Sequence, residues 1–187
     1  GRPLKKRWLA SQPAADSITL AEWVERRCES STSDLILQMD IEGAEYKIVL
    51  SLAREVLARF RIIVIEFHSL HRALADSLVL RQVCLPLLNK LAQDFVCVHA
   101  HPNNYQPFGH VIPGFQACLP EYLELSFLRR DRFSLTPLSS HRRVLIPHPL
   151  DVEQVPEHPP FFVEAAGCCG KRPWRSQLKI QRGRLLY

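Results

Sequence analysis

Residues 34–68, DLILQMDIEGAEYKIVLSLAREVLARFRIIVIEFH, constrain the fold more than any other stretch. Leu35 to Met39 is a short, mostly apolar run that stops at Asp40, and Glu42, Gly43 and Glu45 follow at once. From Tyr46 the apolar positions Ile48, Val49, Leu52, Val56, Leu57 and Phe60 fall at three- and four-residue steps, which predicts one buried helical face. Ile62 to Ile65 is a second apolar, β-branched run, and it ends in Glu66-Phe67-His68. Two such runs joined by a helix predict a βαβ unit with parallel, buried strands and a right-handed crossover. In open α/β sheets the ligand crevice lies beyond the carboxyl ends of the strands. Both strands carry polar residues there: Asp40 and Glu42 on one, Glu66 and His68 on the other.

The flanking segments extend this unit. Residues 18–27 (ITLAEWVERR) predict a short helix, with Thr19 and Glu22 forming a capping box and Leu20, Trp23 and Val24 its apolar face. After His68 a helix is expected over residues 70–91, with Pro86 as a kink or break. Residues 95–100 (FVCVHA) predict a third strand that runs into His101-Pro102-Asn103-Asn104-Tyr105. A long connection then leads to residues 122–128 (YLELSFL), a fourth strand. No crossover helix fits that connection, so this strand is expected to be antiparallel. Proline punctuates residues 145–160, which predicts an irregular surface segment. Three parts follow: a basic arm (1–17), one α/β domain (18–160) and a basic, disordered tail (161–187).

Charge is segregated. The first ten residues hold four basic residues and no acid, residues 167–187 hold six and no acid, and the body between is acidic overall. A basic tail can touch nucleic acid or an anionic surface, but no aromatic interleaving or nucleic-acid motif accompanies it. No run of 18 apolar residues predicts a membrane span. The chain opens on glycine, so its true start is expected upstream and targeting is left open. Six cysteines without a Cys-x-x-Cys spacing fit no zinc finger, and Cys84 and Cys97 lie in apolar runs as buried thiols. Cys168 and Cys169 are adjacent, a poor geometry for mutual bridging. This usage fits a reducing, cytoplasmic setting.

Several side chains carry candidate chemistry. Asp40, Glu42 and Glu45 either stabilise the positive end of a helix or place Asp40 as a ligand contact or base. Gly43 lets the backbone turn tightly there. Glu66 follows an apolar wall and must find a partner or keep its proton. His68 shares its strand face, so the two form an ion pair, a general-base pair or two metal ligands. His99 and His101 also share a strand face, and Asn103 and Asn104 follow. If the strands are parallel, three strand ends converge with carboxylates, imidazoles and amides. A divalent ion held by Asp40, Glu66, His68 and His101, as in a metal-dependent hydrolase, is one reading of that set, but no spacing rule selects it and no metal is expected.

SITLAEWV, LILQMDIEGAEYKIVL, IIVIEFH, HAHPNNY, YLELSFLRRD and IPHPLDVEQVP occur in this order across residues 18–156. In these blocks the chain resembles the FkbM-type methyltransferase family. The resemblance implies a Rossmann-like class I sheet, mostly parallel with an antiparallel last strand. It further implies S-adenosylmethionine as methyl donor and a small-molecule or glycan hydroxyl as acceptor. Within that reading, the convergence of strand ends makes Asp40, Glu66, His68 and His101 the candidate catalytic residues. Asp40 and Glu42 would contact the cofactor, and Asn103 and Asn104 the acceptor. Such enzymes also use an earlier βαβ half with a Gly-rich loop, whose need is close backbone approach to the cofactor. With seven glycines and no G-x-G, the chain is expected to enter the family fold after the third strand, as a fragment or a degenerate copy. The alternative is a non-catalytic interaction domain, whose open sheet edge would favour self-association.

Overall fold

The computed structural model describes residues 8–28, 34–106, 109–112, 117–132, 148 and 151–159. The expected tail at 161–187 lies outside them. So do Cys168, Cys169 and most of the basic start of the chain.

Strand β1 (Trp8–Leu9) pairs in parallel with β2 (Ser17–Ile18), so ordered pairing begins within the segment expected to be an arm. Helix α1 (Leu20–Arg27) starts as its sequence dictates. The Thr19 hydroxyl accepts from Glu22 N, and the Glu22 carboxylate accepts from Thr19 N, both at 3.1 Å. Leu20 and Val24 are buried, whereas Trp23, expected on the apolar face, is exposed.

β3 (Leu35–Met39), α2 (Glu45–Ser51), α3 (Arg54–Leu57) and β4 (Phe60–His68) form the βαβ unit, with β3 and β4 parallel and adjacent. The single helix expected from Tyr46 to Phe60 is broken. Leu52 is extended (φ −67°, ψ 134°), and Phe60 already belongs to β4. The Lys90 ammonium donates to the carbonyls of Leu50 and Leu52, which the break leaves without helical partners. The apolar spacing survives the break because Leu52, Leu57 and Phe60 reach one core from either conformation.

The helix expected over 70–91 is also divided. α4 (Leu70–Ala75) ends before Asp76, whose carboxylate accepts from Leu78 N and Val79 N to cap α5 (Ser77–Val79). A π-helical turn, Leu80–Cys84, leads into α6 (Leu85–Asp94). Pro86 therefore falls in the first turn of α6, where its missing N–H costs least. β5 (Phe95–Pro102) is followed by a hairpin of β6 (His110–Ile112) and β7 (Ala117–Leu119), within the stretch expected to be a plain connection. β8 (Tyr122–Arg129) comes last.

The main sheet has the order β3-β4-β8-β5. β8 is antiparallel to both neighbours, as expected, and therefore β5 runs parallel to β4. It lies between β4 and β5. Leu37, Met39, Ile63, Ile65, Phe67, Leu123 and Phe127 line one face and meet Leu20, Val24, Ile48, Val49, Leu87 and Leu91 from the helices in one core. Fully burying such a side chain contributes about 1.5–3 kcal/mol each. By alternation the opposite face carries Gln38, Val64, Glu66, His68, Ser126, Glu124 and Tyr122. Among the described residues the fold is thus an α/β sheet with its helices packed on one face.

Register on β5 has a decisive irregularity. Cys97 pairs with Phe127 but His99 pairs with Ser126, so Val98 is an extra, bulged residue. Strict alternation from Phe95 and Cys97 would aim His99 and His101 at the core. The bulge turns both to the polar face.

Buried Arg129 locks the far end of the sheet. Its guanidinium meets Asp34 at 2.9 Å and Asp131 at 2.7 Å, and it donates to the carbonyl of Ala58. Cys84 is buried as expected and Cys97 is half-buried, its thiol donating to the His99 carbonyl at 3.4 Å. No disulfide joins the described cysteines. No helix among the described residues is long and apolar enough to cross a membrane.

Candidate active site

The turn after β3 sets the geometry. Glu42 (φ 55°) and Gly43 (φ 96°) both adopt left-handed backbone conformations. A Cβ at Gly43 would touch nothing within 4 Å, so the glycine is required for its torsion and not for space. A non-glycine residue in this region costs of order 1–3 kcal/mol, strain of the kind that collects at functional sites.

The reward of this turn is the position of Glu45. Its side chain is completely buried at the start of α2. One carboxylate oxygen accepts from Gly43 N at 2.9 Å. The other accepts from His68 N at 2.8 Å and lies 3.2 Å from His68 Nδ1. Tyr46 adds a third hold, since its hydroxyl donates to the His68 carbonyl at 2.9 Å. Burial pushes the Tyr46 phenol far above its ordinary range, with Cys84 and Glu45 adding to the effect, so it stays a donor. His68 is thereby gripped at its amide, its ring and its carbonyl by two consecutive residues.

With a proton on Nδ1 shared with Glu45, Nε2 of His68 is left facing outward. There it lies 3.6 Å from Asp40 Oδ1 and 3.4 Å from Glu42 Oε2. Asp40 and Glu42 are themselves largely exposed. Tyr122 packs edge-on against the His68 ring at 5.2 Å, and Tyr105 against Tyr122 at 5.9 Å.

Glu66 lies on the same face. It accepts from Asn103 Nδ2 at 2.8 Å. Burial holds its carboxyl above the usual range; the Asn103 hydrogen bond opposes this and the Asp40 charge adds to it. Asp40, Glu66 and His68 each offer one ligand atom within 4.8 Å of the others. His101 is not in that group. It sits opposite Glu124, which in turn sits opposite Glu66, so two strand spacings of about 4.8 Å separate the rows. The convergence expected of three neighbouring strand ends is therefore tighter for two strands than for the third, because β8 intervenes. His101 Nε2 is nevertheless buried without a hydrogen-bond partner.

Asn103 reaches across the gap that β8 opens, but Asn104 does other work. Its completely buried amide donates to the carbonyls of Val155 and His158 and accepts from Val155 N at 3.0 Å. It clamps the segment 151–159 over the sheet and presents no free group to an acceptor. His99 completes that clamp through Asp151 at 2.9 Å.

Sequence reasoning brought together Asp40, Glu42, Glu66, His68 and Asn103 but gave Glu45, Tyr46 and Tyr122 no role at the site. Glu45 was visible as a carboxylate at the first helical turn, where a solvated helix-end charge is the ordinary expectation. Nothing local signals that it reaches 23 residues along the chain to His68.

An α/β sheet with one gripped imidazole and several carboxylates at the carboxyl ends of adjacent parallel strands is the layout of a ligand-binding α/β domain. Residues 5–107 match the methyltransferase FkbM domain, and the chain belongs to that family. No curated protein and no solved structure matches the chain.

Proposed function

We propose that this domain transfers a methyl group from S-adenosylmethionine to a hydroxyl of a small-molecule or glycan acceptor. The observation that carries this reading is the three-point hold on His68, which aims Nε2 at the outer, carboxylate-lined end of the sheet. The donor set fits the cofactor's chemistry. Asp40, Glu42 and Glu66 offer negative charge to a sulfonium and an ammonium. When bound, S-adenosylmethionine supplies an electrophilic methyl on a sulfonium that departs as a neutral thioether. His68 Nε2 would take the proton of the acceptor's hydroxyl. Glu45 holds the imidazole in orientation and stabilises the imidazolium that forms. Asp40 and Glu42 contact the cofactor. Glu66, oriented by Asn103, borders the acceptor, and His101 flanks it further along the polar face. The chemistry is chiefly positioning, which suits a site built from rigid strand ends.

Calorimetric titration of S-adenosylmethionine into the folded chain tests the cofactor assignment. Saturable micromolar binding, weakened by Asp40→Asn, is expected. A folded chain that takes up no cofactor would refute it and favour the interaction-domain reading. With an acceptor in hand, His68→Ala should lower turnover by about 100-fold or more. Unchanged turnover would remove His68 from the role of base.

A further inference from the structure

A second convergence of side chains lies outside the proposed site. His71 in the first turn of α4, His110 at the start of β6 and Glu121 just before β8 each offer a ligand atom within 4.8 Å of the others. Both Nε2 atoms address the same carboxylate oxygen, Glu121 Oε2, at 3.6 Å from His71 and 3.1 Å from His110. Two ligands each about 2.0–2.1 Å from a tetrahedral ion stand about 3.3 Å apart, so these separations bracket the required value. The imidazoles stack at 3.7 Å with only 8° between their planes. A small splay of the stacked rings lets both nitrogens donate to one ion.

We propose that His71, His110 and Glu121 form a binding site for a divalent ion of the zinc class, with a water in the fourth position. The ligand set, two imidazoles and one carboxylate, suits a borderline ion rather than magnesium or calcium.

Two further features support the site. The second oxygen of Glu121 is fixed by the Ser69 hydroxyl at 2.8 Å, the outer-shell contact that orients a ligating carboxylate. Ser69 itself is in a left-handed conformation (φ 53°) and also donates its N–H to the Glu121 carbonyl at 2.9 Å. Its backbone strain is therefore offset by two bonds to the same residue.

The ion would pin the β6–β7 hairpin to the start of α4 and the start of β8. His71 is three residues from His68, and Glu121 is next to Tyr122. The site is separate from the Asp40, Glu66, His68 group and does not depend on the methyl-transfer reading.

Titration of the chelator-treated full chain with Co²⁺, followed by visible absorption and by Zn²⁺ competition, tests this. One equivalent should bind, with a spectrum of nitrogen and oxygen ligands, and the ion should raise the melting temperature. Half-exposed His110 can be replaced with little risk to folding. His110→Ala should weaken binding at least 10-fold with an unchanged circular dichroism spectrum. Glu121→Gln, which keeps an acceptor for Ser69, should do the same. Asp40→Asn should leave binding intact. Three results would overturn the proposal: no binding by the folded chain, thiolate-to-cobalt charge-transfer absorption, or loss of binding in Asp40→Asn with retention in His110→Ala.

Discussion

Glu45 and Glu66 are both carboxylates at one sheet end, yet their hydrogen-bond surroundings differ. Glu45 meets only N–H donors, so its charge is matched bond by bond. Glu45→Gln would replace one acceptor with an NH₂ group facing an N–H, leaving a buried donor unsatisfied. The expected cost is about 1–3 kcal/mol in thermal or urea unfolding, with His68 loosened and turnover reduced. Glu66 has one hydrogen bond against considerable burial, and its folded pKa is raised. The folded state therefore binds this proton more tightly than the unfolded chain does. The stability it contributes is fully present below the ordinary carboxylate pKa of about 4.3 and is lost as pH rises through the higher folded value. Glu66→Gln keeps the acceptor for Asn103 and removes the charge. Its melting temperature should exceed wild type at pH 7, and the gap should close below about pH 4. A constant gap across that range would mean that burial of Glu66 has no electrostatic consequence.

At the scale of elements, the bulge at Val98 decides what β5 contributes. Deleting Val98 would remove the bulge and restore strict alternation, leaving His99 opposite Ser126 and His101 opposite Glu124 on the polar face. Every side chain beyond the deletion keeps its partner on β8, so the Asn103 bond to Glu66 still forms. A change of no more than about 1 kcal/mol in stability is expected, and a loss of several kcal/mol in the melt would show that the fold needs the bend the bulge introduces. The breaks in the two long predicted helices follow similar logic. Leu52 and Asp76 end helices early because Lys90 and the Asp76 carboxylate satisfy the backbone groups that the breaks release. An apolar spacing of three and four records which residues face the core. It does not record whether the backbone between them stays helical.

For the whole molecule the sheet edge is the main liability. Among the described residues β3 pairs only with β4, and Ile36 on β3 is 70% exposed. An unblunted edge strand with an exposed β-branched residue is a template for pairing with another chain. Light scattering at rising concentration should show association. Ile36→Lys should shift the population toward monomer, because an inserted charge opposes edge-to-edge pairing. Monomeric wild-type protein at high concentration would show that this edge is protected.

The sequence by itself determined the βαβ unit, the capped first helix, the antiparallel course of β8 and the polar strand ends of Asp40, Glu66 and His68. These rest on local causes: apolar periodicity, a capping box, and alternation along one strand. The tertiary structure decided what depends on contacts between distant residues. β8 inserted between β4 and β5, which moved His101 away from Glu66. One bulged residue chose the face of His99 and His101. Asn104 was committed to a buried clamp on residues 151–159, and Glu45 to a residue 23 positions away. None of these has a local signature, because side-chain spacing along a chain does not encode which strand will lie beside which.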